Sequence, residues 1–423
     1  MDVAPLRNGG NYFDYFLCVK VITASEAPHI EEEASSIITT LHSTAVTINS
    51  IYPVILANTK FSIDLLKTVC KTSSVLFSPL SISSALGLVV LGAKGKTADQ
   101  MMTTLHFGQM KIMYHDLYEA INKTSAFNKL ILANRLYGER SCDFNDDYLD
   151  ECEDWCFGGL RVVDFQNNPE DARVKINNWV KNKTQHKLES LLDAGDVDKN
   201  TLLVLLSTMY IKGTWHTQFD AKDTKEAPFY TNQGEIKTVQ MMSQTGKFPL
   251  ATIDEADCRI LELFYEQKDL SMFILLPNQR DLEKIESLIT YEKLQEWTEE
   301  DKFLPTEMQI YVPKMSMQGT FDLEKILRSL GITDAFTDKC DFSGMTSKPL
   351  KLSKVVHKSG INVNEQGTEA EAGSGAPTTL LRSNKFDSTY GQQVSFVADH
   401  PFLFFIRHND TKSILFWGRY SSP

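Results

Sequence analysis

The 423-residue sequence lacks the marks of a disulfide-stapled, membrane-spanning or polyanion-binding protein. Its seven cysteines (Cys18, Cys70, Cys142, Cys152, Cys156, Cys258 and Cys340) are odd in number and follow no framework spacing, so they read as free thiols in a reducing compartment. The expected location is therefore cytoplasmic, with an extracellular role left open. Cys152 and Cys156 sit one helical turn apart, but no nearby histidine or basic cluster would lower a thiol pKa, and they read as ordinary thiols. The longest apolar run, near residues 85–93, falls short of the roughly 18 residues of a membrane helix. The segment from Tyr12 to Ala24 is interrupted by Asp14 and Lys20 and lacks a basic start or a small-residue cleavage site. No membrane partner is expected. Positive charge is also short: 43 Lys and Arg stand against 55 Asp and Glu, a net charge of -12, which argues against a nucleic-acid or heparin surface. Catalytic motifs are missing too. LGLVVLGAKGKT, Leu86 to Thr97, ends like a phosphate loop, but Val90 stands where the first glycine is required. Ser374 in GSG has neither nucleophile-elbow spacing nor a positioned histidine. No cofactor, metal site or enzymatic activity is expected.

One segment does carry a pattern. In EQGTEAEAGSGAPTTLL, Glu365 to Leu381, a period of two puts Thr368, Ala370, Ala372, Ser374, Ala376, Thr378 and Leu380 on one uncharged face. Glu369, Glu371, Gly373, Gly375, Pro377 and Thr379 fall on the other, the alternation of a strand with one buried side. Yet the segment is rich in Gly, Ala, Ser and Thr, packs poorly and is entropically costly to order, so an exposed loop is its natural ground state. These two properties describe a loop built to become a strand later.

Elsewhere the chain reads as one large α+β domain over residues 56–423, after an extension over 1–55 with an acidic patch at Glu31 to Glu33 and no sustained periodicity. Helices are expected at Thr59 to Thr68, from Pro79 through Leu91, Thr97 to Leu105, Lys111 to Asn122, Asp146 to Cys156 and Glu170 to Thr184. Strands are expected at Leu130 to Tyr137, Arg259 to Phe264, Leu270 to Leu276, Met308 to Met317, Val355 to Asn364, Phe402 to Arg407 and Ile414 to Arg419. TLLVLLSTMYI, Thr201 to Ile211, is apolar enough for a strand covered on both faces.

The ordered motifs FSPLSISSAL, INNWVKNKT, MYIKGTW, LSMFILLP, VPKM, VVHKSGINVNEQGTEA and FVADHPFLFFIRHNDTKSILFWGRYSSP resemble those of the serpins, over essentially Ala57 to Pro423. The final block is similar to the intracellular ovalbumin-like branch, near leukocyte elastase inhibitor. The resemblance implies three β-sheets, about nine helices and an exposed reactive loop at about 365–395 in a metastable, monomeric protein. It implies a suicide-substrate inhibitor: a protease cleaves the loop, and the freed segment inserts into the large sheet before the acyl-enzyme is hydrolysed. The hinge would be Glu365, Gly367, Thr368, Glu369, Ala370 and Ala372. Family register puts the scissile bond at Leu381–Arg382, implying a chymotrypsin-like or elastase-like target. A shift to Arg382–Ser383 would suit a trypsin-like pocket, Lys385, Phe386 and Tyr390 are further candidates, and a cysteine protease stays open. Ser78, Ser81 and His357 match a polar cluster where the large sheet parts, or are simply satisfied core groups. Ser207 stands where the family usually has Asn, which leaves the partner of His357 open. Trp215 matches a tryptophan at the top of that opening. Pro377 cannot donate to a ladder, so slower or less efficient trapping is expected. The alternative is a non-inhibitory serpin with a chaperone, storage or carrier role.

Overall fold

The computed structural model describes residues 51–69, 73–108, 114–122, 128–155, 158–368 and 394–423. These described residues contain nine helices: α1 (51–69), α2 (Pro79–Gly92), α3 (Gly95–Thr104), α4 (Tyr114–Asn122), α5 (Asp146–Trp155), α6 (Pro169–Lys183), α7 (Glu283–Leu288), α8 (Tyr291–Trp297) and α9 (Glu324–Leu330). The strands are β1 (Val75–Phe77), β2 (Lys129–Leu132), β3 (Arg135–Glu139), β4 (Leu160–Val163), β5 (Leu203–Thr214), β6 (Lys225–Tyr230), β7 (Ile236–Ile253) and β8 (Cys258–Phe264). They continue with β9 (Leu270–Pro277), β10 (Leu304–Pro313), β11 (Met315–Asp322), β12 (Lys354–Val363), β13 (Gly367–Thr368), β14 (Ser395–Val397), β15 (Phe402–His408) and β16 (Ile414–Tyr420). α1 starts inside the stretch assigned to the extension, because Ile51, Val54 and Ile55 bury their side chains in the core.

Strands from the two ends of the domain share sheets, as β1 does with β16, where Leu76 lies opposite Gly418. One sheet runs β1-β16-β15-β9-β8-β7-β10-β14, with β6 alongside β7; the other runs β11-β12-β13-β5-β3-β4, with β2 also on β5. The three sheets expected are thus two hydrogen-bonded sheets among the described residues. The reason is β7, 18 residues long, whose Met241–Leu250 stretch pairs with β10 before Leu250–Ile253 turns to β8, joining two sheets into one.

Both faces of β5 are covered. Leu203, Leu205, Met209 and Ile211 enter the main core under α2, while Val204 and Leu206 pack with Ile176 and Val180 of α6 on the other side. α2 begins with Pro79 at its first position and Ser78 as N-cap, the Ser78 hydroxyl accepting the Ser81 N–H at 3.2 Å. Two expected strands are each split. Leu130 to Tyr137 breaks into β2 and β3 because Ala133 and Asn134 leave the ladder to bond Thr208 and the start of α2. Met308 to Met317 breaks at Pro313 and Lys314, so that β10 and β11 belong to different sheets.

Candidate functional site

β5 and β12 are parallel neighbours in the seven-stranded sheet, paired from Lys354 opposite Val204 to Gly360 opposite Tyr210. Beyond that point they part, and the chain turns back after β12 to place β13 between them. Thr368 lies opposite Gly213 of β5 and Val363 of β12, and Gly367 opposite Thr214, antiparallel to both. Gly367 is required by close approach: a Cβ there would fall 2.0 Å from the Gly213 carbonyl oxygen and 2.7 Å from Thr214 Cα.

The turn is held at three successive carbonyls. Trp215 donates its backbone N–H to Gln366 O at 2.8 Å and its indole Nε1–H to Asn364 O at 3.0 Å, while Phe219 N–H donates to Glu365 O at 2.9 Å. Asn364 Oδ1 accepts from the Gln366 and Gly367 amides, an Asx turn. The Glu365 carboxylate accepts from Thr224 Oγ1 at 2.8 Å and pairs with Lys314 Nζ at 3.0 Å. Burial would raise its pKa, but the Lys314 and Thr224 hydrogen bonds outweigh it and hold the carboxyl below the ordinary value. Thr368 is fully buried, its hydroxyl 2.6 Å from Tyr265 Oη, and the Tyr265 ring packs against Trp215 with centroids 4.5 Å apart and planes tilted by 31°.

Where β5 and β12 still touch, a polar chain crosses them. His357 Nε2 is 3.0 Å from the Ser78 backbone nitrogen, and because an N–H can only donate, Nε2 must be the unprotonated nitrogen. Nδ1–H then donates to Ser207 Oγ at 2.9 Å, Ser207 to Ser81 Oγ at 2.8 Å, and Ser81 to Asn134 Oδ1 at 2.8 Å. Complete burial pushes the imidazole pKa down to about 3, so the ring is neutral at physiological pH. The arrangement can hold two parallel strands together reversibly, since the bond between His357 Nδ1 and Ser207 Oγ spans them while both groups also stay tied to the start of α2.

With this geometry in view, the comparison with known proteins is decisive: the family profile described as serpin (serine protease inhibitor) matches residues 56–423. The chain is a serpin. It is similar to leukocyte elastase inhibitor of Bos taurus, 46% identical over 378 residues, covering 87% of this chain and 98% of that protein. Among solved structures it is similar to uncleaved ovalbumin, with TM-score 0.78 and 33% identity over 87% of this chain and 99% of that one. It is also similar to a loop-inserted, cleaved ovalbumin mutant, with TM-score 0.76 and 31% identity over 87% and 99%.

In this serpin Ser78, Ser81, Ser207 and His357 lie in one hydrogen-bonded group, and Trp215 sits beside Glu365, Gly367 and Thr368 at the end of the gap. Ser207 bonds His357 directly, so the shorter side chain does not leave the imidazole without a partner. Glu369, Ala370, Ala372, Pro377, Leu381, Arg382 and Ser383 lie outside the described residues. Sequence reasoning missed Asn134, which also donates from Nδ2 to Ser81 O and Ser84 Oγ, both at 2.9 Å, and accepts from Thr208 N–H at 3.2 Å. The available signal was a lone amide closing the apolar run LILA, Leu130 to Ala133.

Proposed function

We propose that this serpin inhibits a serine-type protease as a suicide substrate, by cleavage at Leu381–Arg382 and insertion of the freed segment between β5 and β12. The observation carrying this reading is β13, two residues that already begin a strand between the parallel pair and head into the gap. Continuing the register of Thr368 one residue at a time brings Ala370 between Ile211 and Ile361, Ala372 between Met209 and Ser359, and Ser374 between Ser207 and His357. The same steps bring Pro377 opposite Val204 and Lys354, the last pair of the present contact, where its missing N–H would cost least because the gap is by then open. Fourteen residues at about 3.3 Å each would carry an attached enzyme roughly 45 Å. Leu381 supports chymotrypsin-like or elastase-like specificity in this proposal, and the free thiols of Cys142, Cys152, Cys258 and Cys340 support action in the cytoplasm.

Incubation with elastase, chymotrypsin and trypsin tests the proposal. The expected result is a complex at the summed mass on a denaturing gel, with cleavage after Leu381 and a sharp rise in melting temperature of the cleaved inhibitor. Cleavage without a complex and without that rise would replace this reading by a non-inhibitory one, in which Pro377 stops the strand.

A further inference from the structure

A second feature meets the hinge from the opposite side. The β7–β8 ladder runs from Ile253 opposite Cys258 to Leu250 opposite Leu261 and ends there. The next residue of β7 in that direction is Pro249, which has no N–H to continue it. β7 then follows β10, where Pro305 lies opposite Pro249, while β8 stays with β9 to Phe264. The splayed strands leave a cleft of about 380 Å³, within the range of sites that hold small molecules.

Its walls are mixed: Phe248, Pro249, Leu263, Phe264 and Pro305 give it an apolar side, and His216, Thr217 and Gln244 a polar one. Two exposed cations, Lys247 and Lys268, stand on it, and among the described residues neither ammonium lies within ion-pairing distance of a carboxylate. Lys268 rests over the Phe264 ring, Nζ 5.1 Å from its centroid, and Glu307, opposite Lys247 in the ladder, does not close on it. The one carboxyl lining the cleft, Glu262, is buried, and burial raises its pKa above the ordinary value against the opposing influence of Ser271 and Arg407. A cleft with one apolar side and unpaired ammonium groups fits a ligand with an aromatic or aliphatic body and one anionic end. The cleft also includes Trp215 and Phe219, the residues that hold the carbonyls of Asn364, Glu365 and Gln366.

We propose that this cleft binds a small amphipathic carboxylate, and that its occupancy stiffens the hinge turn through Trp215 and Phe219. The binding claim stands independently of the inhibitory reading above. Calorimetric titration of the full chain with 4-phenylbutyrate and with the uncharged 4-phenylbutanol should show saturable binding of the acid, about tenfold tighter than the alcohol. A Lys247→Gln, Lys268→Gln double variant, changed only at exposed side chains, should keep its melting temperature and bind the acid about tenfold more weakly. Hydrogen exchange at the amides of residues 366–368 should slow severalfold with the acid bound. Absence of saturable binding, equal affinity for acid and alcohol, or unchanged affinity in the double variant overturns the site. Binding that leaves the exchange unchanged overturns the coupling.

Discussion

Replacing His357 by glutamine isolates what its buried, neutral imidazole contributes to the pH dependence of folding. Glutamine keeps an acceptor within reach of the Ser78 N–H but does not titrate. In the native protein His357 is fully buried, its Nε2 faces a donor, and burial lowers its pKa from 6.5 to about 3. A second proton would aim one N–H at another and leave a charge in the core. The sign comes from linkage: with the folded pKa below the unfolded one, the unfolded chain binds more protons between these values, so the contribution is complete above pH 6.5 and is lost as pH falls toward 3. At pH 5 the loss is about 2 kcal/mol, or roughly 30-fold in the unfolding equilibrium. His408, buried and lowered to about 4, adds a similar loss of its own that the substitution leaves in place. Urea unfolding followed by tryptophan emission at pH 7.5 and pH 5.0 should therefore show the variant losing about 2 kcal/mol less than the wild type over that interval, whatever its absolute stability. An identical loss in both proteins would refute the neutral, donor-facing imidazole and the reversible latch built on it.

Gly367→Ala should expel β13, since its Cβ would overlap the Gly213 carbonyl; losing two or three hydrogen bonds at about 1 kcal/mol each should accelerate amide exchange at Thr368 by at least tenfold. Asn134→Ala leaves Ser81 O, Ser84 Oγ and the Thr208 N–H short of a partner in the core, and should cost about 2–4 kcal/mol in thermal or urea denaturation, more than Ser207→Ala. Burial pushes the thiols of Cys142 up to about 11 and of Cys152 and Cys258 up to about 12, so mass mapping after iodoacetamide at pH 7.5 should find all three unlabelled in the folded protein and labelled after denaturation.

How much of the fold was legible in the sequence depends on where the apolar residues lie. β5, with its near-continuous apolar run, and α2, opened by Ser78 and Pro79, carry their burial in composition, and both occur within two or three residues of the expected bounds. β7 carries no such mark. Its residues are mixed and largely exposed or half-buried, and what makes it a strand is pairing with β6, β8 and β10, partners up to about 70 positions away in sequence. Asn134 and the cleft beside Trp215 were hidden for the same reason, since each is assembled from distant segments and no local spacing announces it.

The segment after Glu365 is the informative exception. Its alternation of small and charged residues is a pattern that gains nothing for a chain surrounded by water on both faces. It makes sense only against a surface the segment can enter, and the structure supplies the first step of that surface. Thr368, the first residue of the small face, is buried against Tyr265, and its register leads on toward Ile211, Met209 and Ser207 of β5. On the insertion proposed above, the composition of this segment records the environment it would enter. The proposal makes the positions of the uncharged face the sensitive ones: on insertion a charge at Ala370 or Ala372 would have to enter between β5 and β12, whereas Glu369 and Glu371 fall on the other face of the sequence pattern, so Ala372→Glu should yield cleavage without complex where Glu371→Gln leaves complex formation intact.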